Sequence, residues 1–195
     1  NRIAIEEGYS AIVVDAQKHL LSGEIYFSGL ADDLIHIAQK PVLLIRSEGH
    51  SREKTPSDVD NIGCEIGNHV LFPTDFSDNA NYAFGCMVGM AADKAKKITL
   101  LHVQDKSRIS PYLDNRLQEF GATDNVRLES RRKTLNETGN AEVETVLKYG
   151  SPSVEILNFV KEHNVRLVVM GSQGRGFVKE IFLGSVSHNI ARSSP

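Results

Sequence analysis

Very little in this chain offers a metal ion, a second cysteine or a bilayer anything to hold. Its 195 residues contain two cysteines, Cys64 and Cys86, and no cluster of Cys and His at zinc-ligand spacing, so neither a disulfide framework nor a structural metal is indicated. A reducing compartment is expected. No apolar run approaches the roughly 20 residues that span a bilayer, and the first residues do not have the pattern of a signal peptide. The expectation is a cytoplasmic chain, in which Asn136-Glu137-Thr138 is a glycosylation sequon on paper only. An excess of one charge is missing too: 22 Lys and Arg stand against 25 Asp and Glu, a formal net charge of -3. Nothing global draws the protein to nucleic acid or to an anionic membrane, and neither is expected as a partner. Finally, there is no Gly-Lys-Ser or Gly-Lys-Thr, which removes the P-loop with its phosphate lysine and Mg²⁺-binding hydroxyl.

What remains is an ordinary globular composition, 41% hydrophobic and 24% charged, long enough to bury a sizeable core. Within it, one segment is unusual. The apolar run 165–170 leads into Gly171-Ser172-Gln173-Gly174-Arg175-Gly176, followed by Gly184-Ser185. This reads as a buried strand, a glycine loop and a helix N-terminus. Glycine lets backbone N–H groups approach an anion, and a helix beginning near Ser185 points its positive end at the same place. A nucleotide phosphate is the expected guest.

The chain also contains a partial copy of itself. Residues 6–14 match 161–169 as a helix end feeding a buried strand, 24–29 resemble 180–184, and 37–41 resemble 190–195. After Pro41 the first copy continues into a strand at 42–46; the second copy stops at Pro195, where that strand would begin. Residues 47–68 are polar, without sustained periodicity, and read as a linker. Beyond it, 69–72 reads as strand, 73–77 as a turn, 79–94 as helix and 98–103 as strand. A charged amphipathic helix within 112–138 follows, with Gly121 placed to interrupt it, then a strand at 141–148, a helix at 153–163 and a strand at 165–170. Strands alternating with helices predict a parallel α/β sheet covered on both sides.

Four segments together carry a family resemblance: Pro73-Thr74-Asp75-Phe76-Ser77, Leu100-Leu101-His102-Val103, Tyr149-Gly150-Ser151-Pro152, and the glycine loop through Gly184-Ser185-Val186-Ser187. In order and position they resemble the universal stress protein family over residues 70–195, and more weakly over 3–46. The resemblance implies a Rossmann-like, adenine-nucleotide α-hydrolase-like fold: an open parallel five-stranded sheet ordered 3-2-1-4-5, with helices on both faces. It further implies ATP, or ADP or AMP, bound where the strand order reverses, with any Mg or Mn carried on the phosphates. Carried over residue by residue, the ATP-binding positions are Pro73, Thr74, Asp75, Val103, Met170, Gly171, Gly174, Gly184, Ser185 and Val186. Asp75 belongs to the adenine or ribose end, Val103 to the wall for the base and Met170 to the ribose. Gly171, Gly174, Gly184, Ser185 and Val186 belong to the phosphates, with Ser185 also expected to cap its helix.

The resemblance also sets the expected organisation. Residues 1–46 correspond to the C-terminal half of a degenerate first unit, 47–68 to a linker, and 69–195 to a second unit lacking its last strand, so the chain is expected to be a piece of a longer tandem protein. In the first unit Ala16-Gln17-Lys18-His19-Leu20-Leu21 stands where the second has its glycine loop, and Leu30 stands in the place of Ser185, so nucleotide binding is expected in the second unit alone. Family members pair through the fifth strand, which implies self-association of two units within a chain or across a homodimer.

Several residues carry a plainer reading beside the functional one. Asp75 suits a turn as well as a ligand role. His102 is expected to be a satisfied strand histidine, His188 a solvated helix residue, Arg175 and Lys179 solvated loop cations, Cys86 a packing residue, and Arg131-Arg132-Lys133 a solvated helix face. The leading functional reading is an adenine-nucleotide-binding regulatory stress-response protein, with no catalytic residues assigned. Against it stand an ATP-using transferase or ligase, a slow ATPase, a nucleotide-free dimerisation module and, weakest, a dinucleotide oxidoreductase.

Overall fold

The computed structural model describes residues 1–15, 19–21, 24–26, 29–45, 65–91, 94–109, 116–174 and 183–195. The first part of the chain comprises α1 (Arg2–Glu6), β1 (Ile12–Asp15), β2 (His19–Leu21), β3 (Glu24–Tyr26), α2 (Gly29–Ile37) and β4 (Val42–Ile45). β1 and β4 pair in parallel, Ile12 opposite Val42 through Asp15 opposite Ile45, and β2 and β3 form an antiparallel hairpin. Val14 and Ala31 are the buried centre of this part, with Ile12, Leu34, Val42 and Leu44 packed around them.

The larger part is built on β5 (Val70–Pro73), β6 (Lys97–Asp105), β7 (Glu142–Gly150) and β8 (Leu167–Val168), interleaved with α3 (Asp78–Ala91), α4 (Lys106–Ile109), α5 (Leu117–Thr138), α6 (Pro152–Glu162) and α7 (Ser185–Ser193). The sheet runs β7-β6-β5-β8, every pair parallel. This is the expected order with four of its five places filled. Among the described residues no strand lies beyond β8.

Side-chain alternation explains why these strands sit where they do. Successive residues of a strand face opposite sides, so a strand covered on both sides must be apolar throughout. β5 is: Val70 and Phe72 join Met87, Ile98, Leu100, Leu128 and Leu135 in one core cluster. Leu71 faces the other way, into a cluster with Leu101, Val103, Ile156, Phe159, Val160 and Ile190. α3 and α5 therefore cover one face, and α6 and α7 the other. β7 lies at the edge, where Glu144 pairs with Lys97 across the ladder at 2.8 Å. The hydrogen bond to Glu144 is the largest influence on the Lys97 ammonium and raises its pKa.

Three expectations need correction. The fourth strand is two residues long rather than six, although Arg166 and Val169 still donate to the carbonyls of His69 and Leu71 on either side of it, each at 2.9 Å. α5 runs unbroken through Gly121. One interior glycine costs a helix about 1 kcal/mol, and burial of a face carrying Leu128 and Leu135 outweighs that. Residues 65–68 are not simply linker, because the Gly67 carbonyl accepts from Lys96 at 2.7 Å and a Cβ at Gly67 would lie 2.6 Å from the Lys94 carbonyl oxygen. The rest of the expected linker, and Ala16-Gln17-Lys18, lie outside the described residues.

Leu128 has no exposed surface, whereas Val126, two residues away, is 70% exposed. Leu128→Ala is therefore expected to cost about 3 kcal/mol, and Val126→Ala to stay within about 0.5 kcal/mol, in urea unfolding of the two variants. Equal effects would mean that α5 is not anchored through this face.

Candidate nucleotide site

β5 and β8 are neighbours, but the chain leaves them for opposite faces, β5 into α3 and β8 toward α7. A crevice opens beyond their carboxyl ends, the place where open α/β sheets bind ligands. The loop after β5 is tightly held. Thr74 donates its N–H to Leu101 at 2.9 Å, Phe76 donates to the Thr74 hydroxyl at 3.1 Å, and Ser77 donates to Asp75 Oδ1 at 3.0 Å. The Ser77 hydroxyl then accepts from Ala80 at 3.3 Å and caps α3. Phe76 has φ of +61°, a left-handed conformation that costs a bulky residue ~1–3 kcal/mol. Its ring rests against His102, centroids 4.7 Å apart, which helps hold it there.

The loop after β8 crosses this turn at close quarters. A Cβ on Gly171 would lie 2.9 to 3.1 Å from backbone atoms of Asn79 and Ala80, so glycine here lets the loop seat on the first turn of α3. A Cβ on Gly174 would lie 2.7 Å from Asp75 Oδ2. Gln173 Oε1 accepts from Asn79 Nδ2 at 3.2 Å. The far end of the loop is pinned as well. Gly184 N–H donates to the Ser172 carbonyl at 2.7 Å, and the Ser187 hydroxyl contacts the same carbonyl at 2.6 Å and that of Gly184 at 2.9 Å. α7 thus starts beside the glycine loop, with its first N–H groups lacking helical acceptors.

These pieces enclose one cavity of about 720 Å³. Pro73, Thr74, Asp75, Val103, Met170, Gly171, Gly174, Gly184, Ser185 and Val186, the ten positions expected from the sequence, all line it. The volume suits a small-molecule site, and glycine at 174 and 184 leaves backbone exposed that a side chain would cover. Arg175, Gly176 and Lys179 lie outside the described residues.

The cavity also contains side chains that the sequence reading did not assign to it. His102, Gln104, Asp124 and Arg127 line its wall. His102 Nδ1 lies 2.6 Å from the Thr74 carbonyl oxygen, which can only accept, so Nδ1 carries a proton. His102 Nε2 is 3.4 Å from Asp124 Oδ2, which also accepts from Gln104 Nε2 at 3.0 Å. His102 is the satisfied histidine expected of it. Asp124 was not anticipated at all.

Two roles are corrected. Ser185 does not cap α7: Gly184 occupies the N-cap, and it is the Ser187 hydroxyl that bonds back across the turn. Arg131 does not belong to a solvated face. It is 9% exposed and donates to the Thr74 hydroxyl and to Asn81 Oδ1, while Arg132 and Lys133 stay outside. Burial pulls its guanidinium pKa down, and the negative charge of Asp75 pushes it back up. A signal for Asp124 and Arg131 existed, because Asp124, Leu128, Arg131 and Leu135 recur at helical spacing and are the buried residues of α5. Cys86 is a half-buried free thiol, and Cys64 lies outside the described residues. Among the described residues, no group of three or more His, Cys, Asp or Glu gathers as a metal site, and no helix is long and apolar enough to cross a membrane.

Comparison with known proteins converges on one family. The model of the Universal stress protein family matches residues 68–195. Universal stress protein MJ0577 of Methanocaldococcus jannaschii is 30% identical over 144 residues, covering 64% of this chain and 88% of that protein. A solved structure of MJ0577 superposes with a TM-score of 0.61 at 30% identity, over 66% of this chain and 91% of that one. Universal stress protein YxiE of Bacillus subtilis is 30% identical over 139 residues, 65% of this chain and 93% of its own length. A universal stress protein from Archaeoglobus fulgidus shares the fold over 99% of this chain and 62% of that chain, with a TM-score of 0.60 at 22% identity.

The packing contact of Gly171 and the non-capping position of Ser185 separate in a stability measurement. Gly171→Ala sets a methyl against backbone that cannot move aside and is expected to destabilise by about 2 kcal/mol or more. Ser185→Ala removes a hydroxyl that makes no capping bond, and its melting temperature is expected to match the wild type. A neutral Gly171→Ala would show that the loop does not seat on α3 as described.

Proposed function

From the premise that this chain belongs to the universal stress protein family, we propose that it is a regulatory protein that binds ATP, or ADP or AMP, in the cavity between β5 and β8. The observation that carries this reading is the convergence of three separate segments, 73–75, 170–174 and 184–186, with Val103, on one crevice at the switch point of the sheet. The glycine loop and the first turn of α7 supply backbone N–H groups for the phosphates. Asp75 serves the adenosine end, and Val103, 8% exposed, forms part of an apolar wall for the base. A divalent ion would enter on the phosphates.

Binding rather than turnover is the proposed activity. Several polar groups of the wall are tied to one another: His102, Gln104 and Arg127 all converge on Asp124. We also propose that residues 1–46 and 69–195 are parts of two units of one repeat, joined by 47–68, whose last four residues already pack against the second unit, and that units associate through a fifth strand. The parallel β1–β4 pair, with α2 between its strands, has the order expected of a fourth and fifth strand.

Three measurements test the binding site. Mass spectrometry of small molecules released from purified, denatured protein is expected to find an adenine nucleotide. Gly174→Val places a branched side chain where the Asp75 carboxylate lies, and because that carboxylate can move, the fold is expected to persist while ATP affinity in calorimetry falls about tenfold or more. Asp75→Ala is expected to weaken ATP and adenosine by similar factors. Unchanged ATP affinity in a folded Gly174→Val protein would overturn the loop assignment, and a loss confined to the triphosphate would move Asp75 to the phosphate end.

A further inference from the structure

Among the described residues, one unusual side chain is an arginine, Arg131, that lies behind the cavity rather than lining it. Arg131 is 9% exposed, yet its two hydrogen bonds go to neutral oxygens, Thr74 Oγ1 and Asn81 Oδ1. Its guanidinium lies over three rings, with its central carbon 5.7 Å from the centroid of Phe72, 5.0 Å from that of Phe76 and 5.1 Å from that of Phe84. Burying a charge among aromatic faces without a directly bonded carboxylate is costly, and such a group persists where the surrounding structure depends on it. What depends on it is the turn after β5. Thr74 Oγ1, which accepts from Arg131, also accepts from the N–H of Phe76, and the ring beneath the guanidinium is that of the residue at φ +61°.

We propose that Arg131 is a positioning residue that clamps the Thr74-Asp75-Phe76 turn from behind, and so fixes where the Asp75 carboxylate enters the cavity. The clamp has three parts. The fork ties Thr74 at the end of β5 to Asn81 on α3, so the two ends of the turn are held at a fixed separation. The cation holds the Phe76 ring down and keeps the strained residue in place. Its charge acts on Asp75, whose carboxylate in turn raises the guanidinium pKa against the effect of burial. Lysine has neither the planar fork nor the stacking surface for this arrangement.

The consequence for ligand affinity rests on the nucleotide reading above, but the clamp itself can be measured without ligand. In Arg131→Met, the Asp75 carboxyl followed by ¹³C NMR in ligand-free protein is expected to titrate at higher pH than in wild type, because the nearby positive charge is gone. Adenosine affinity by calorimetry is expected to fall about tenfold, and to fall no further when Arg131→Met is added to Asp75→Ala. Arg131→Lys keeps the charge and loses the fork, so the titration stays near wild type while adenosine affinity falls about threefold. A folded Arg131→Met protein with an unchanged Asp75 titration overturns the proposal, as does an affinity loss that persists in full in the Asp75→Ala background. If Arg131→Met does not fold, Arg131→Lys decides: wild-type adenosine affinity overturns the clamp. If the wild-type protein binds no adenosine, the nucleotide reading fails and the ligand-free titration still decides the role of Arg131.

Discussion

The crevice of the proposed site depends on β5 and β8 being hydrogen-bonded neighbours whose chains leave toward opposite faces of the sheet. Val70 pairs with Leu167 and Leu71 with Val168, and these two rungs bring Asp75 and the loop at Gly171 to the same edge although they are far apart in sequence. Because α3 departs on one face and α7 packs on the other, no helix among the described residues closes the gap between the two loops. The crevice is a consequence of topology. Its chemistry then comes from what each loop carries across it.

The glycines of the second loop serve different masters. Gly171 is required by packing, since its missing Cβ lets the loop rest on the backbone of Asn79 and Ala80. Gly174 passes over the Asp75 carboxylate, where a side chain would displace the group it covers. Gly184 closes the loop through Ser172 and starts α7. A loop that must both seat on a helix and leave backbone open to a ligand has few residue choices. The same run of glycines therefore reads as packing at Gly171 and, under the proposed function, as phosphate chemistry at Gly174.

Much of this was legible in the sequence because the signals were of the right kind. Alternating apolar strands and helices marked the sheet, and the order of the motifs marked which strand ends meet. The ten expected site positions fall around one cavity because they lie at or beyond the carboxyl ends of β5 and β8, near the end of β6 or at the start of α7, where periodicity changes. What was not legible depends on long-range packing. Arg131 lies between Ser130 and Arg132 and reads as surface by residue type, although its spacing from Leu128 and Leu135 puts it on the buried face of α5. Asp124 is hidden for the same reason. The N-cap of α7 fell to Gly184 rather than Ser185 because the hydroxyl of Ser187, not that of the first helical residue, reaches back to Ser172. Gly121 looked like a break because local propensity was weighed without the burial that overrides it.

In the proposed function, one adenine nucleotide occupies the crevice between β5 and β8, with its phosphates at the glycine loop. Titrating ATP into isotope-labelled protein and mapping backbone amide shifts tests it most directly. Saturable changes are expected at Asp75, Val103, Gly171 to Gly174 and the amides of Ser185 and Val186, with residues of β1 and β4 unmoved. Changes centred on the first part of the chain, or none at saturating ATP, would contradict it.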